Sequence, residues 1–347
     1  MTEGRGQRSE KSVFCPLFSV LCFLSSVFCP LSSVFAEESS FSRAMAAYNE
    51  RDRDRAFQFA QQAVRESPQH VDALALLGEL YYLRQDLKKA RECWENVLRL
   101  APDRQDVQQR LDKLKKEQVV EQGLARSDTH PFVVRFADGQ APVDVGELRL
   151  MLRDAYRQVG QSFNTFPDHS ITVLLYPEAD FDKVKGSSHQ VAGLYDGKIR
   201  LPLSPGRQTS GYLQRVLWHE YTHALVHDLA KGNCPLWLNE GIAQLQEARV
   251  QPINLTLFRA ALEKETVPPW HFLWDQTEYD PASMQLNYQT AYVIANYLVK
   301  RGSWNGLAGL LRRLGQGYPI RDALRAQYGS DSAALERDWL LWLRRNL

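Results

Sequence analysis

Residues 37–118 repeat themselves with a period of 34, and that self-similarity restricts the fold more than composition does. Tyr48 recurs as Tyr82, Ala56 as Ala90, Val64 as Leu98 and Pro68 as Pro102. A period of this length marks a stack of helical hairpins, each burying its apolar face against the next. In the second copy, Gly78 and Ala90 let two antiparallel helices approach, Tyr81 and Trp94 fill the space between them, and Pro102 ends the second helix. The first copy keeps Ala44, Ala47, Ala56, Ala60, Ala63 and Pro68. Residues 106–117, with Val107, Leu111 and Leu114 at helical spacing, read as a cap on the stack.

These positions resemble the tetratricopeptide (TPR) pattern. The resemblance implies an all-α module that holds a protein partner. Two repeats make a short groove, and a spacer or packing platform fits the same residues.

The segment before the repeats has another character. Arg5, Arg8 and Lys11 precede an uncharged, apolar and Ser-rich run over 13–35, and Ala36 stands before the acidic Glu37 and Glu38. A basic start, an apolar core and a small residue before a polar break read as a signal peptide over 1–36. An uncleaved membrane anchor is the competing reading, and membrane association is expected only in that case. Either way the remainder is expected outside the cytoplasm, periplasmic or extracellular. Cys15, Cys22 and Cys29 belong to this run, so Cys93 and Cys234 alone follow it, which is no disulfide framework. A net charge of +1 gives no bulk field to attract nucleic acid.

After a polar linker over 117–129 the periodicity changes. Residues 131–136 read as a strand, 145–163 as an amphipathic helix and 171–176 as a buried strand. Residues 191–195 and 198–202 flank Asp196-Gly197, a hairpin signal. The expectation is a small mixed α+β sheet, with 198–201 as the edge that receives an extended substrate. Residues 248–347 read as almost wholly helical.

Between sheet and helical end lies Trp218-His219-Glu220-Tyr221-Thr222-His223, an H-E-x-x-H on a predicted helix over 211–226. Positions i and i+4 share a helix face, so His219 and His223 can offer imidazoles to one metal ion, with Glu220 beside them to work on a water. A surface helix with scattered His and Glu is the plain alternative.

Further on stands Trp237-Leu238-Asn239-Glu240-Gly241-Ile242-Ala243. W-L-N-E-G-x-A after H-E-x-x-H resembles the gluzincin metallopeptidases, in particular the peptidase-MA-like group, over roughly 130–345. The resemblance implies a zincin-like fold in which Glu240 is the third zinc ligand. It also implies that Tyr288, leading Tyr288-Gln289-Thr290-Ala291, hydrogen-bonds the developing oxyanion. Three protein ligands leave a zinc ion an open position, the pattern of a catalytic site. Where thermolysin-like enzymes carry an Asp four residues after the glutamate ligand, this chain has Gln244, so Gln244 and Asn239 are candidate hydrogen-bond partners of the ligating histidines. Glu247, two turns beyond Glu240, is a candidate reserve ligand.

The expected organisation is therefore 1–36 signal peptide or anchor, 37–118 TPR-like module, and 128–347 gluzincin-like peptidase domain, divided into 128–226 and 227–347. The expected activity is zinc-dependent peptide hydrolysis on a peptide or protein substrate, endopeptidase in preference to aminopeptidase. One catalytic zinc is held by His219, His223 and Glu240, with Glu220 as acid–base and Tyr288 as oxyanion donor. The rival expectation is a TPR adaptor with an idle peptidase-like domain.

Overall fold

The computed structural model describes residues 39–49, 52–137, 145–167, 169–184, 193–203, 210–274 and 282–346. The expected signal segment, 1–36, lies outside them. No described helix is long and apolar enough to cross a membrane. Glu38–Leu347 form one compact unit.

The repeats fold as helix pairs: α1 (Ser40–Asn49) with α2 (Arg53–Glu66), then α3 (Val71–Leu83) with α4 (Leu87–Leu100). The period extends to the caps. Asp52 accepts from the Arg55 amide at 3.1 Å at the start of α2, and Asp86 accepts from the Lys89 amide at 3.3 Å at the start of α4. Each satisfies a donor that the first helical turn leaves open. Gly78 faces Trp94 so closely that a Cβ there would lie 2.5 Å from the indole ring, and Trp94 Nε1 donates to the Ala75 carbonyl at 3.3 Å. Helix α5 (Gln105–Glu121) buries Val107, Leu111 and Leu114 against the second pair.

The stretch 117–129 is no linker. Helix α5 runs on to Glu121, and β1 (Leu124–Thr129) pairs antiparallel with β2 (Phe132–Ala137), so a boundary at 118 falls inside a helix and one at 128 inside a strand. The physical reason is that Glu117 and Glu121, polar residues of the expected linker, are buried against cations of the sheet.

Helix α6 (Val145–Phe163) crosses from β2 to β3 (Ile171–Pro177), which lies parallel to it. Helix α7 (Glu178–Val184) follows, then β4 (Leu194–Tyr195) and β5 (Ile199–Leu203) around the Asp196-Gly197 turn, where Gly197 takes φ +98°. The sheet order is β1-β2-β3-β5-β4. This corrects the expected substrate edge. Strand β5 is internal, parallel to β3 on one side and antiparallel to β4 on the other, so β4 is the edge.

The helical half comprises α8 (Ser210–Ala230), α9 (Leu236–Glu247), α10 (Thr256–Glu263), α11 (Trp270–Trp274), α12 (Met284–Gly315), α13 (Ile320–Tyr328) and α14 (Ser332–Asn346). Helix α8 is buried on most sides because Leu213, Leu217, Tyr221, Leu225 and Val226 join the main core, which also takes in the sheet and α6. Trp237, Trp270 and Trp339 are buried in the same core, with ring centroids 6.4 Å apart for Trp237–Trp270 and 5.7 Å for Trp270–Trp339. Ser303, at φ 61° and ψ 177°, interrupts α12, a break the helical periodicity did not announce. Cys93 and Cys234 are both free thiols.

Helix α9 lies directly on α12 at Gly241. A Cβ at Gly241 would fall 2.7 Å from the Ala291 carbonyl carbon and 3.0 Å from Ala295 Cβ. The obstacle is helix backbone, which cannot swing aside as a side chain can. Gly241→Ala is therefore expected to destabilise the fold by about 1–3 kcal/mol, the usual cost of overpacking. It should also weaken metal uptake through the neighbouring Glu240. Urea unfolding with and without added zinc checks this, and an unchanged midpoint in both would contradict the close approach.

Candidate metal centre

His219 and His223 sit in mid-α8, one turn apart, with ring centroids separated by 4.8 Å and planes at 83°. Glu240 lies in the first turns of α9, directly before the Gly241 contact that brings α9 onto α12. The structure gathers one ligand-type atom from each of His219, His223 and Glu240 within 4.8 Å of one another.

The histidine rings are oriented by their far nitrogens. His219 Nδ1 donates to Glu247 Oε2 at 2.8 Å, and His223 Nδ1 donates to Asn239 Oδ1 at 3.0 Å. Both Nε2 atoms are thereby turned towards Glu240, at 3.6 Å for His219 and 3.7 Å for His223. Those separations are long for hydrogen bonds. They fit ligands of one ion, since a tetrahedron with bonds of about 2.0–2.1 Å has edges of roughly 3.3 Å. Two imidazoles and a carboxylate form a donor set suited to zinc. Backing of each imidazole by an acceptor is what fixes tautomer and ring angle in such sites.

The expected arrangement of outer partners holds for Asn239 and fails for Gln244. Gln244 Nε2 donates to the Tyr288 carbonyl at 3.1 Å and to the Glu240 carbonyl at 3.3 Å, tying α9 to α12. Its place behind His219 is taken by Glu247, which is therefore an orienting carboxylate and not a reserve ligand. Arg215 NH1 donates to Glu247 Oε1 at 2.7 Å and fixes that carboxylate in turn. Arg215 and Glu247 were both missed as a pair. The signal was there, since Arg215 precedes His219 by one turn and Glu247 follows Glu240 by two.

Glu220 points the other way, towards the sheet. It is buried, and its Oε2 has no hydrogen-bond partner among the described residues. Gly193, entering the edge strand β4, lies against its carboxylate: a Cβ at Gly193 would come within 2.6 Å of Oε1. Any side chain there would displace the acid. Tyr288, on α12, is half-buried and within electrostatic reach of Glu240 and Glu220; its phenol is held protonated first by burial and then by those two charges.

Electrostatics of the metal-free site follow from this crowding. Burial pushes Glu220 up to about 8, with positive charge on His219 opposing and the Glu240 and Glu247 carboxylates adding. Burial disfavours charge on His219, yet Glu240 and Glu247 outweigh it and hold this imidazole well above its ordinary value. His223 is lowered, chiefly by burial. Glu240 is lowered because His223 and His219 outweigh its burial. Glu240 and Glu247 thus favour the protonated form of His219.

That proton must leave before His219 can ligate a metal. The folded imidazole titrates above the usual range, so the competing proton is bound at neutral pH and lost as pH rises. Zinc affinity is expected to increase with pH through neutrality, with net proton release. Calorimetric titration in buffers of different ionisation enthalpy measures this, and a buffer-independent, pH-independent heat would contradict it.

Residues 206–345 match the family model of the Peptidase MA superfamily, and residues 47–114 match that of the tetratricopeptide repeat. A search of curated proteins found no match. Among solved structures, a mutant of the M1 zinc metallopeptidase from Deinococcus radiodurans is similar, with 20% sequence identity and a TM-score of 0.38 over 60% of this chain. The chain spans 48% of that protein's length. His219, Glu220, His223, Glu240 and Tyr288 all fall within the stretch that matches the Peptidase MA superfamily, behind a segment that matches the tetratricopeptide repeat.

Proposed function

We propose that this chain is an exported zinc-dependent metallopeptidase acting on peptide or protein substrates. The observation that carries the reading is the convergence of His219, His223 and Glu240 beside a buried carboxyl whose second oxygen has no partner among the described residues. The export rests on the pattern of residues 1–36.

His219, His223 and Glu240 hold the ion in this reading. Bound zinc supplies a Lewis acid for the scissile carbonyl and acidifies a water molecule. Glu220 receives the water's proton at its Oε2 and delivers it to the departing amine. Its burial raises its proton affinity, which suits a group that must take a proton and then give it up. Tyr288 stays protonated and donates a hydrogen bond to the oxygen that becomes negative in the transition state, an interaction made more strongly there than in the ground state. The edge of β4 takes extended substrate backbone, as an added strand does. No aminopeptidase-type G-x-M-E-N segment precedes the H-E-x-x-H in the sequence, and we favour endopeptidase action. The repeats supply a protein-interaction module beside the site.

Metal analysis of the purified chain, with cleavage of an unfolded protein as substrate, tests the reading. Stoichiometric zinc is expected in wild type and in Glu220→Gln, with the variant losing about 10²–10⁴ in rate. Zinc without Glu220-dependent cleavage would leave an adaptor, and failure to take up zinc at all would remove the ligand assignment. Tyr288→Phe is expected to lower kcat by about 10²–10³ while KM changes little, as removal of an oxyanion donor does. An unaltered kcat would assign Tyr288 to the core.

A further inference from the structure

The repeat segment meets the sheet through buried charge. Arg200 of β5 is fully buried and Lys198, in the turn before it, nearly so. Arg200 donates to Glu121 Oε1 at 2.9 Å and to Asp196 Oδ1 at 3.0 Å, and pairs with Glu117 at 3.2 Å. Lys198 donates to Glu121 Oε2 at 2.8 Å. Glu121 accepts further from Tyr176 at 3.1 Å, and Glu117 from Tyr82 of α3 at 2.8 Å. Two of the carboxylates that balance these cations thus come from α5, the cap of the repeats. The turn itself is held from the same side. Gln85 Nε2 would sit 3.0 Å from a Cβ at Gly197, and Lys113 lies 3.7 Å from Asp196.

The route from this cluster to the metal site is short. Arg200 stands opposite Leu194 in the β4–β5 register, and Leu194 follows Gly193, which touches the Glu220 carboxylate. A second tie reaches the other wall of the site: Arg53 of α2 contacts His227 of α8, and the His227 ring lies 5.9 Å from that of Tyr195 in β4. The repeats therefore reach both the β4–β5 turn and the helix that carries Glu220.

We propose that the second repeat and α5 are a positioning element for the metal site: Glu117 and Glu121 grip the β4–β5 hairpin in the same chain and so hold the Gly193 backbone against Glu220. What the positioning serves rests on the peptidase reading, while the grip itself does not. Loss of a carboxylate from the cluster strands a buried cation, which the hairpin can relieve only by moving into water. A shift of about 1 Å at the reacting groups is enough to cost about a hundredfold in rate.

Hydrogen exchange on the zinc-loaded full chain tests this. Glu121→Gln is expected to accelerate amide exchange over 193–203 by about tenfold or more, with zinc content at the wild-type level. It is also expected to lower kcat for peptide cleavage by about tenfold or more while KM changes less. Lys198→Met, which leaves Arg200 paired, should act in the same sense and replaces Glu121→Gln if that variant does not fold. Arg110→Ala, which breaks the exposed Arg110–Glu79 pair of the repeats, is expected to leave exchange and kcat unchanged. Exchange over 193–203 that stays at the wild-type rate in both cluster variants overturns the proposal. So does a loosened hairpin with unaltered kcat. A wild type that binds zinc and cuts nothing removes the peptidase reading alone, and the exchange comparison then decides the grip by itself.

Discussion

Everything at the candidate metal centre depends on how closely two helix backbones can approach. Gly241 has no side chain to hold α9 off α12, and Ala291 and Ala295 present small surfaces in return. That contact sets the tilt of α9, and the tilt decides where Glu240 and Glu247 stand relative to the histidines of α8. Gln244 then ties the two helices with hydrogen bonds to the Tyr288 and Glu240 carbonyls. Four side chains of one twelve-residue helix, Asn239, Glu240, Gln244 and Glu247, are thus aimed by one tight contact.

The second organising effect is the low polarisability of the surroundings. Three carboxylates, Glu220, Glu240 and Glu247, share a small buried volume with two imidazoles. In water their mutual repulsion would be slight. Burial is what chiefly raises Glu220 and keeps Tyr288 neutral, with the neighbouring carboxylates adding, and Glu240 and Glu247 hold His219 above its ordinary value against its own burial. A divalent cation there would offset the carboxylate charge now balanced in part by protonation of His219.

Much of this was legible in the residues, for reasons that differ by element. The repeats declared themselves because each unit carries its own packing residues, and even the helix-capping aspartates recur in register. His219 and His223 were readable because i, i+4 geometry is local. Glu240 and Tyr288 needed family resemblance, since no local rule brings α9 and α12 to α8. The sheet edge was misassigned because Lys198-Ile199-Arg200-Leu201 alternates charge and apolar residue, as a half-exposed edge does. Arg200 and Lys198 are buried only because carboxylates some eighty positions earlier reach them. The same partnership made 117–129 look like a linker: its charges were visible, their partners were not. Glu247 was noticed for the right spacing and given the wrong role, because ligation and orientation demand the same helix face.

The buried charges shared by α5 and β5 bear on how the molecule comes apart. A repeat array and a peptidase domain would ordinarily be expected to melt as separate bodies. Here neither can leave alone without exposing the other to uncompensated charge: the repeats would abandon Arg200 and Lys198, and the sheet would abandon Glu117 and Glu121. The cost of that separation is added to the cost of unfolding either part, and it couples their transitions. Two sequence families joined in this way lose their independence as thermodynamic units, and the natural boundary for excising a stable fragment lies before α1, not between the repeats and the sheet.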